Sequence, residues 1–254
     1  MCTLIMAFYP GTPTPLVVGA NRDENPNRPS SPWQERKYGN VAVYSPLDVL
    51  GGTWIGCNEF GLFAAITNWD LNMNLRGRGM KSRGNVVLET LQCVDMDMAV
   101  EYWRTLNAKE YKPFNIFCCS SYHMMRLQCN HEEMVIKDGI APGLYVSTGL
   151  GFETGCIRED TVKKQLKRAF WDFSQPVKQN DILWLLPNHN SKVHPEDSIC
   201  VHDESHRWET RSSCTLVLDS DSNWDVMHTN TAPCKVQPQD WSRNLFLDNL
   251  NKED

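Results

Sequence analysis

Apolar positions fall first in short strand-like runs, then at helical steps, then in short runs again. Residues 2–8 and 16–20 are apolar stretches separated by Pro10, Gly11, Pro13 and Pro15, which predicts two strands joined by an irregular hairpin loop. Residues 41–44, 53–57 and 62–67 repeat the pattern, punctuated by Gly51-Gly52 and by Asn58 to Gly61. From Ser82, a candidate cap, the period changes: Val86, Leu88 and Leu91, then Met98, Ala99, Tyr102, Trp103 and Leu106 recur at three- and four-residue steps. Two helices broken near Asp95 and Asp97 follow from that spacing.

Strands are expected again at 115–119, 124–129, 134–137 and 144–148. Val162, Leu166, Phe170 and Phe173 then line one face of a helix whose other face carries Lys163, Lys164, Lys167 and Arg168. That basic face predicts a solvated helix, with peripheral contact to an anionic membrane as the alternative. Residues 182–186 make a short helix stopped by Pro187, residues 189–208 a polar, histidine-rich loop, and 212–218 with 224–228 a closing hairpin around Asp221-Ser222-Asn223. Strands, helices, strands, helices and strands without βαβ alternation predict an α+β protein with two antiparallel sheets flanked by helices. No repeat, low-complexity tract or composition break marks a linker, so residues 1–254 are expected to form a single domain.

Composition narrows the classes. With 41% hydrophobic and 22% charged residues the chain belongs with ordinary globular proteins, which excludes disorder as its main state. A net charge of −6 without a concentrated basic stretch argues against nucleic acid. No run approaches the roughly 18 apolar residues of a membrane span. The opening lacks a basic n-region and a cleavage site, so no transmembrane segment and a cytoplasmic location are expected. Most of the ten cysteines are then expected as reduced thiols. No C-x-x-C pair occurs; Cys200, His202 and His206 form a loose cluster that is expected to be a polar loop, with no metal.

Familiar catalytic signatures are missing, including G-x-S-x-G, H-E-x-x-H and G-x-x-x-x-G-K-[ST]. What remains is the Met1-Cys2 pair. Loss of Met1 would give one residue both a nucleophilic sulfur and an α-amine of pKa about 8 to act as its base. Asn21-Arg22-Asp23-Glu24 follows the apolar run 16–20 directly, and pairing of that run with the Cys2 strand would bring tetrad and thiol together. Arg22 would hold a carboxylate or lower a thiol pKa; Asp23 or Glu24 would orient an amine.

Cys2, the tetrad, Gly51-Gly52-Thr53-Trp54, Gly61-Leu62 with Ala65 and Thr67-Asn68, Arg76-Gly77-Arg78-Gly79, Phe114-Asn115 and Thr210-Arg211-Ser212 occur in this order. In these motifs, spread from residue 2 to about 230, the chain resembles the NRDE family, also called the transport and Golgi organisation 2 family. The resemblance implies the four-layer αββα sandwich of N-terminal nucleophile hydrolases. It assigns Cys2 as nucleophile, Arg22 with Asp23 or Glu24 as the amine-orienting pair, Asn68 as an oxyanion donor and Arg211 as a support. Asn21, Trp54, Arg76 and Arg78 would surround the ligand. Where relatives show a Ser-Asn pair after a strand, this chain has Ser147-Thr148-Gly149, so a second donor is missing or replaced.

The resemblance implies an intracellular heme-binding or heme-mobilising factor, cytoplasmic and also mitochondrial or Golgi-associated. It requires no cofactor and takes heme as a candidate ligand, through His, Cys or Met and aromatic walls. The alternatives are a Cys2-dependent amidohydrolase or acyltransferase for a small acyl amide or thioester, and a Golgi or secretory trafficking scaffold.

Overall fold

Strand β1 (Cys2–Phe8) is buried on both sides, and for that reason its sequence is apolar without alternation from Leu4 to Phe8. Leu4, Met6 and Phe8 face a second sheet, whereas Ile5 and Ala7 face helices. The computed structural model describes residues 2–69, 80–169, 176–189, 194–203 and 208–245.

Among these, the strands form two antiparallel sheets. The first contains β1, Leu16–Glu24 (β2), Gly143–Thr148 (β10), Gly151–Phe152 (β11), His202–Asp203 (β12), Trp208–Leu218 (β13), Trp224–Thr229 (β14) and Ser242–Leu245 (β15). Its order is β11-β10-β1-β2-β13-β14-β15, with β12 on β13. The second is a meander of Gln34–Tyr38 (β3), Val41–Ser45 (β4), Ile55–Asn58 (β5), Phe63–Asn68 (β6), Phe114–Cys119 (β7), Met124–Cys129 (β8) and Met134–Lys137 (β9), in chain order.

Helices Arg83–Leu91 (α1) and Met96–Arg104 (α2) cover the second sheet, with Val86, Leu91 and Trp103 against Val43, Ala64 and Ile66. Helices Ile157–Ala169 (α3) and Gln179–Leu185 (α4) cover the first, with Val162, Leu166, Ile182 and Leu183 against Ile5, Val17 and Val146. The expected αββα sandwich is therefore present. Phe170 and Phe173, predicted on the buried face of α3, lie outside the described residues.

The sandwich centre holds Leu4, Met6, Val18, Phe63, Ala65, Phe117 and Leu216. Polar contacts also cross it: Trp224 Nε1 donates to the Asn58 carbonyl at 3.0 Å, and the Thr67 and Ser147 hydroxyls meet at 2.7 Å.

Several expectations change. The tetrad is not a turn, because β2 runs on through Glu24, bonded to β1 at Arg22 and to β13 at Asp23. Strand β3 was not expected; it is a polar edge strand with no buried alternation to signal it. The histidine-rich stretch is not all loop, because His202–Asp203 pairs with β13, and β13 itself begins at Trp208 instead of Ser212. Ser82 occupies the cap position of α1 but makes no side-chain cap bond, whereas Asp95 caps α2 by accepting from Met98 N at 2.8 Å.

Candidate functional site

The start of β1 and the ends of β2 and β6 meet at one end of the sandwich, around a cavity of about 400 Å³. Cys2 lies directly opposite Arg22 across the β1–β2 ladder and is half-buried. Arg22, Asp23, Glu24, Trp54 and Asn68 line the same cavity. Burial pushes the Cys2 thiol up from its ordinary pKa; Asp23 adds to that shift and Arg22 opposes it.

Asp23 is buried, and each of its oxygens has a partner. Arg158 Nη1 donates to Oδ2 at 2.9 Å, and Thr210 Oγ1 donates to Oδ1 at 2.7 Å. Desolvation raises its carboxyl pKa, against the lowering effect of Arg158. Glu24 accepts from Arg28 Nη1 at 3.0 Å and from Arg22 Nη2 at 3.5 Å, and Arg28 also donates to Asp48 at 2.6 Å. These pairs orient two arginines around the rim.

The Gly51-Gly52-Thr53-Trp54 segment brings α1 to the cavity. Gly51 has φ +81°, a left-handed conformation suited to glycine. A Cβ on Gly52 would lie 2.7 Å from the Gly84 carbonyl carbon, so the first turn of α1 packs directly on this backbone. Thr53 N donates to the Gly84 carbonyl at 3.1 Å. Ser82, Arg83 and Gly84 thereby join the cavity wall, with Arg83 Nη1 fixed on the Pro113 carbonyl at 3.0 Å. Burial lowers the Arg83 pKa, while a charge on Cys2 would raise it.

Two expected site residues lie elsewhere. Asn21 is fully buried behind the tetrad: its amide donates to the Leu186 and Ile199 carbonyls at 3.0 and 2.8 Å, and its oxygen accepts from Ser213 Oγ. It braces the strand instead of lining the cavity. Arg211 falls in the β-bulge between Thr210 and Ser212 and pairs with Glu209, away from the cavity. Arg158 and Thr210 take the supporting place expected for Arg211. Arg76 and Arg78 lie outside the described residues. Arg28, Lys81, Arg83 and Lys112 line the cavity without having been predicted there; of these, Arg83 and Lys81 neighbour the Ser82 cap signal, while Arg28 and Lys112 carried none.

A cysteine at the head of the first strand, in a cavity at the open end of an αββα sandwich, places this chain in the N-terminal nucleophile hydrolase fold. It is similar to the Caenorhabditis elegans N-acylethanolamine-hydrolyzing acid amidase ortholog, with a TM-score of 0.58 and 12% identity over 85% of this chain and 92% of that one. A conjugated bile acid hydrolase variant from Clostridium perfringens has a TM-score of 0.55 and 11% identity over 96% of both chains. The likeness is one of fold. Within that class the chain belongs to the Transport and Golgi organisation 2 family, whose model matches residues 1–232. The Bos taurus Transport and Golgi organization protein 2 homolog is 34% identical over 132 residues, 46% of this chain and 44% of that protein. The Homo sapiens homolog is 36% identical over 90 residues, 31% of this chain and 32% of its own. Each match thus spans less than half of the relative's length. Among the described residues, no helix is long and apolar enough to cross a membrane.

Proposed function

We propose that this protein is an acyl-transfer enzyme that cleaves small amides or thioesters with Cys2 as nucleophile, on substrates carrying an anionic group. One observation carries the reading: the β1–β2 pairing sets Cys2 against Arg22 on the wall of a cavity that Asp23 and Asn68 also line. Removal of Met1 would leave Cys2 an α-amine of pKa about 8, suited to take the thiol proton. The thiolate adds to the acyl carbonyl, forming the C–S bond and moving the π pair onto oxygen. Asn68 would donate an amide N–H to that oxyanion, and Trp54 offers a buried indole N–H that has no acceptor among the described residues. Collapse breaks the acyl–heteroatom bond, the leaving group takes the proton held by the α-ammonium, and water then hydrolyses the thioester.

Arg22, Arg28, Lys81, Arg83 and Lys112 outnumber Asp23, Glu24 and Asp48 around the cavity, which favours a negatively charged substrate. Heme mobilisation draws less support from the same wall. Half of its described residues are charged and Trp54 is the one aromatic among them, whereas porphyrin pockets are mostly apolar and aromatic.

Intact mass, electrophile labelling and a panel of acyl amides test the proposal together. The expected results are a processed N-terminus at Cys2, labelling abolished by Cys2→Ala, and turnover reduced at least about a thousandfold in that variant. Retained Met1 in the folded protein, or undiminished turnover in Cys2→Ala, would overturn it. A saturable Soret shift with hemin, lost in Cys2→Ala or on replacing the cavity-wall methionine, Met80→Ala, would favour the heme reading instead.

A further inference from the structure

On the side of β13 away from the cavity mouth, three segments distant in sequence converge. His189 follows α4, Cys200 lies just before β12 and His202 in it, and Cys234 sits in the turn Pro233–Lys235 after β14. One ligand atom from each of these four residues lies within 4.8 Å of all the others. His202 Nε2 is 3.7 Å from Cys200 Sγ and 3.2 Å from Cys234 Sγ. The sequence pointed to a polar loop here and grouped Cys200 and His202 with His206, which lies outside the described residues.

We propose that His189, Cys200, His202 and Cys234 form a tetrahedral site for a borderline-soft divalent cation, zinc being the match for two thiolates and two imidazoles. The spacing is quantitative support. Bonds of about 2.3 Å to sulfur and about 2.05 Å to nitrogen at tetrahedral angles separate S and N by about 3.6 Å, which the 3.7 Å contact to Cys200 matches and the 3.2 Å contact to Cys234 would reach by opening about 0.4 Å. An outer contact is also in place, since His189 Nδ1 lies 3.1 Å from the Cys200 carbonyl. A proton on Nδ1 directed at that oxygen leaves Nε2 with its lone pair free for a metal. Four protein ligands close the coordination shell, so the ion would be structural and not a reaction centre.

Its place in the fold gives it a task. Thr210 N donates to the Val201 carbonyl at 2.9 Å, and Val201 N donates to Thr210 Oγ1 at 2.8 Å. That same hydroxyl donates to Asp23. Pinning residues 200 and 202 to the turn after β14 would therefore hold the backing of Asp23 from outside the cavity.

The test uses the full chain purified without chelator. Elemental analysis should find about one zinc per chain, and replacement by cobalt(II) should give tetrahedral ligand-field bands with thiolate-to-cobalt charge transfer. Cys234 is exposed, so Cys234→Ser should fold and lose about half of the charge-transfer intensity, one of two thiolates being gone. Folded wild-type protein that takes up cobalt without charge transfer, or takes up none, overturns the site. So does a charge-transfer band unchanged in Cys234→Ser, or a Cys200–Cys234 disulfide mapped in protein kept under thiol reductant. The wild-type cobalt titration decides even if a variant misfolds.

Discussion

Asp23 is held as much from behind as by its own strand. Arg158, on α3, reaches across to it and donates to Thr3 Oγ1 at 2.8 Å with the same nitrogen. Both charged side chains are almost fully buried, so Arg158→Ala would strand a carboxylate without its cation and should cost about 3–5 kcal/mol in urea unfolding. Adding Asp23→Asn to that variant should recover part of the loss; no recovery would mean the pair is not the cause. The Cys2 thiol, raised by burial, should alkylate slowly at neutral pH, and its rate should climb about tenfold per pH unit until the thiolate dominates. A rate flat between about pH 7 and about pH 9 contradicts the shift. Cys2 and the tetrad were legible in the sequence because strand pairing joins neighbours along the chain. Arg158 was not, because one arginine on an amphipathic helix looks like any solvated charge until the helix is docked.

The elements followed their hydrophobic periods where one side is buried and became ambiguous where no side is. β3 has an alternating exposed face without an apolar partner face, so no pattern announced it. β2 carried the opposite difficulty: polar residues at its end resembled a turn, although both neighbours bond to it as far as Arg22 and Glu24. Docking of α4 on β2 depends on a missing side chain. A Cβ at Gly19 would stand 2.0 Å from Ile182 Cγ2, so Gly19→Ala should displace the helix and cost about 1–3 kcal/mol. Ile182→Ala alone should cost about 2–5 kcal/mol through the cavity it leaves. Together the two should cost clearly less than their sum, because Ile182→Ala vacates the space that the Gly19→Ala methyl fills. Strict additivity in a double-mutant cycle would show that the two residues do not compete.

At the scale of the whole molecule, the sandwich depends on contacts between sheets, and one of them titrates. His228 on β14 stacks on Trp33 with centroids 5.9 Å apart, and burial pushes its pKa down to about 4. Unfolded, it titrates near about 6.5, so between these values the unfolded chain binds a proton that the native one refuses. The contribution is complete above about pH 6.5, declines as pH falls through the window, and levels off below about 4, for a total of about 3 kcal/mol. Urea midpoints measured across that range should fall with acidity in the wild type and fall less in His228→Gln; parallel curves would remove His228 as the source. By itself, the sequence determined the apolar strands, the covering helices and the group of Cys2 with Arg22, Asp23 and Glu24, because burial periodicity and hairpin pairing act over short stretches of chain. Tertiary structure alone decided that Arg158 meets Asp23, that a bulge turns Arg211 aside, and that His189, Cys200, His202 and Cys234 converge. Those outcomes depend on the register of β13 and on the packing of segments many residues apart, which no local pattern encodes.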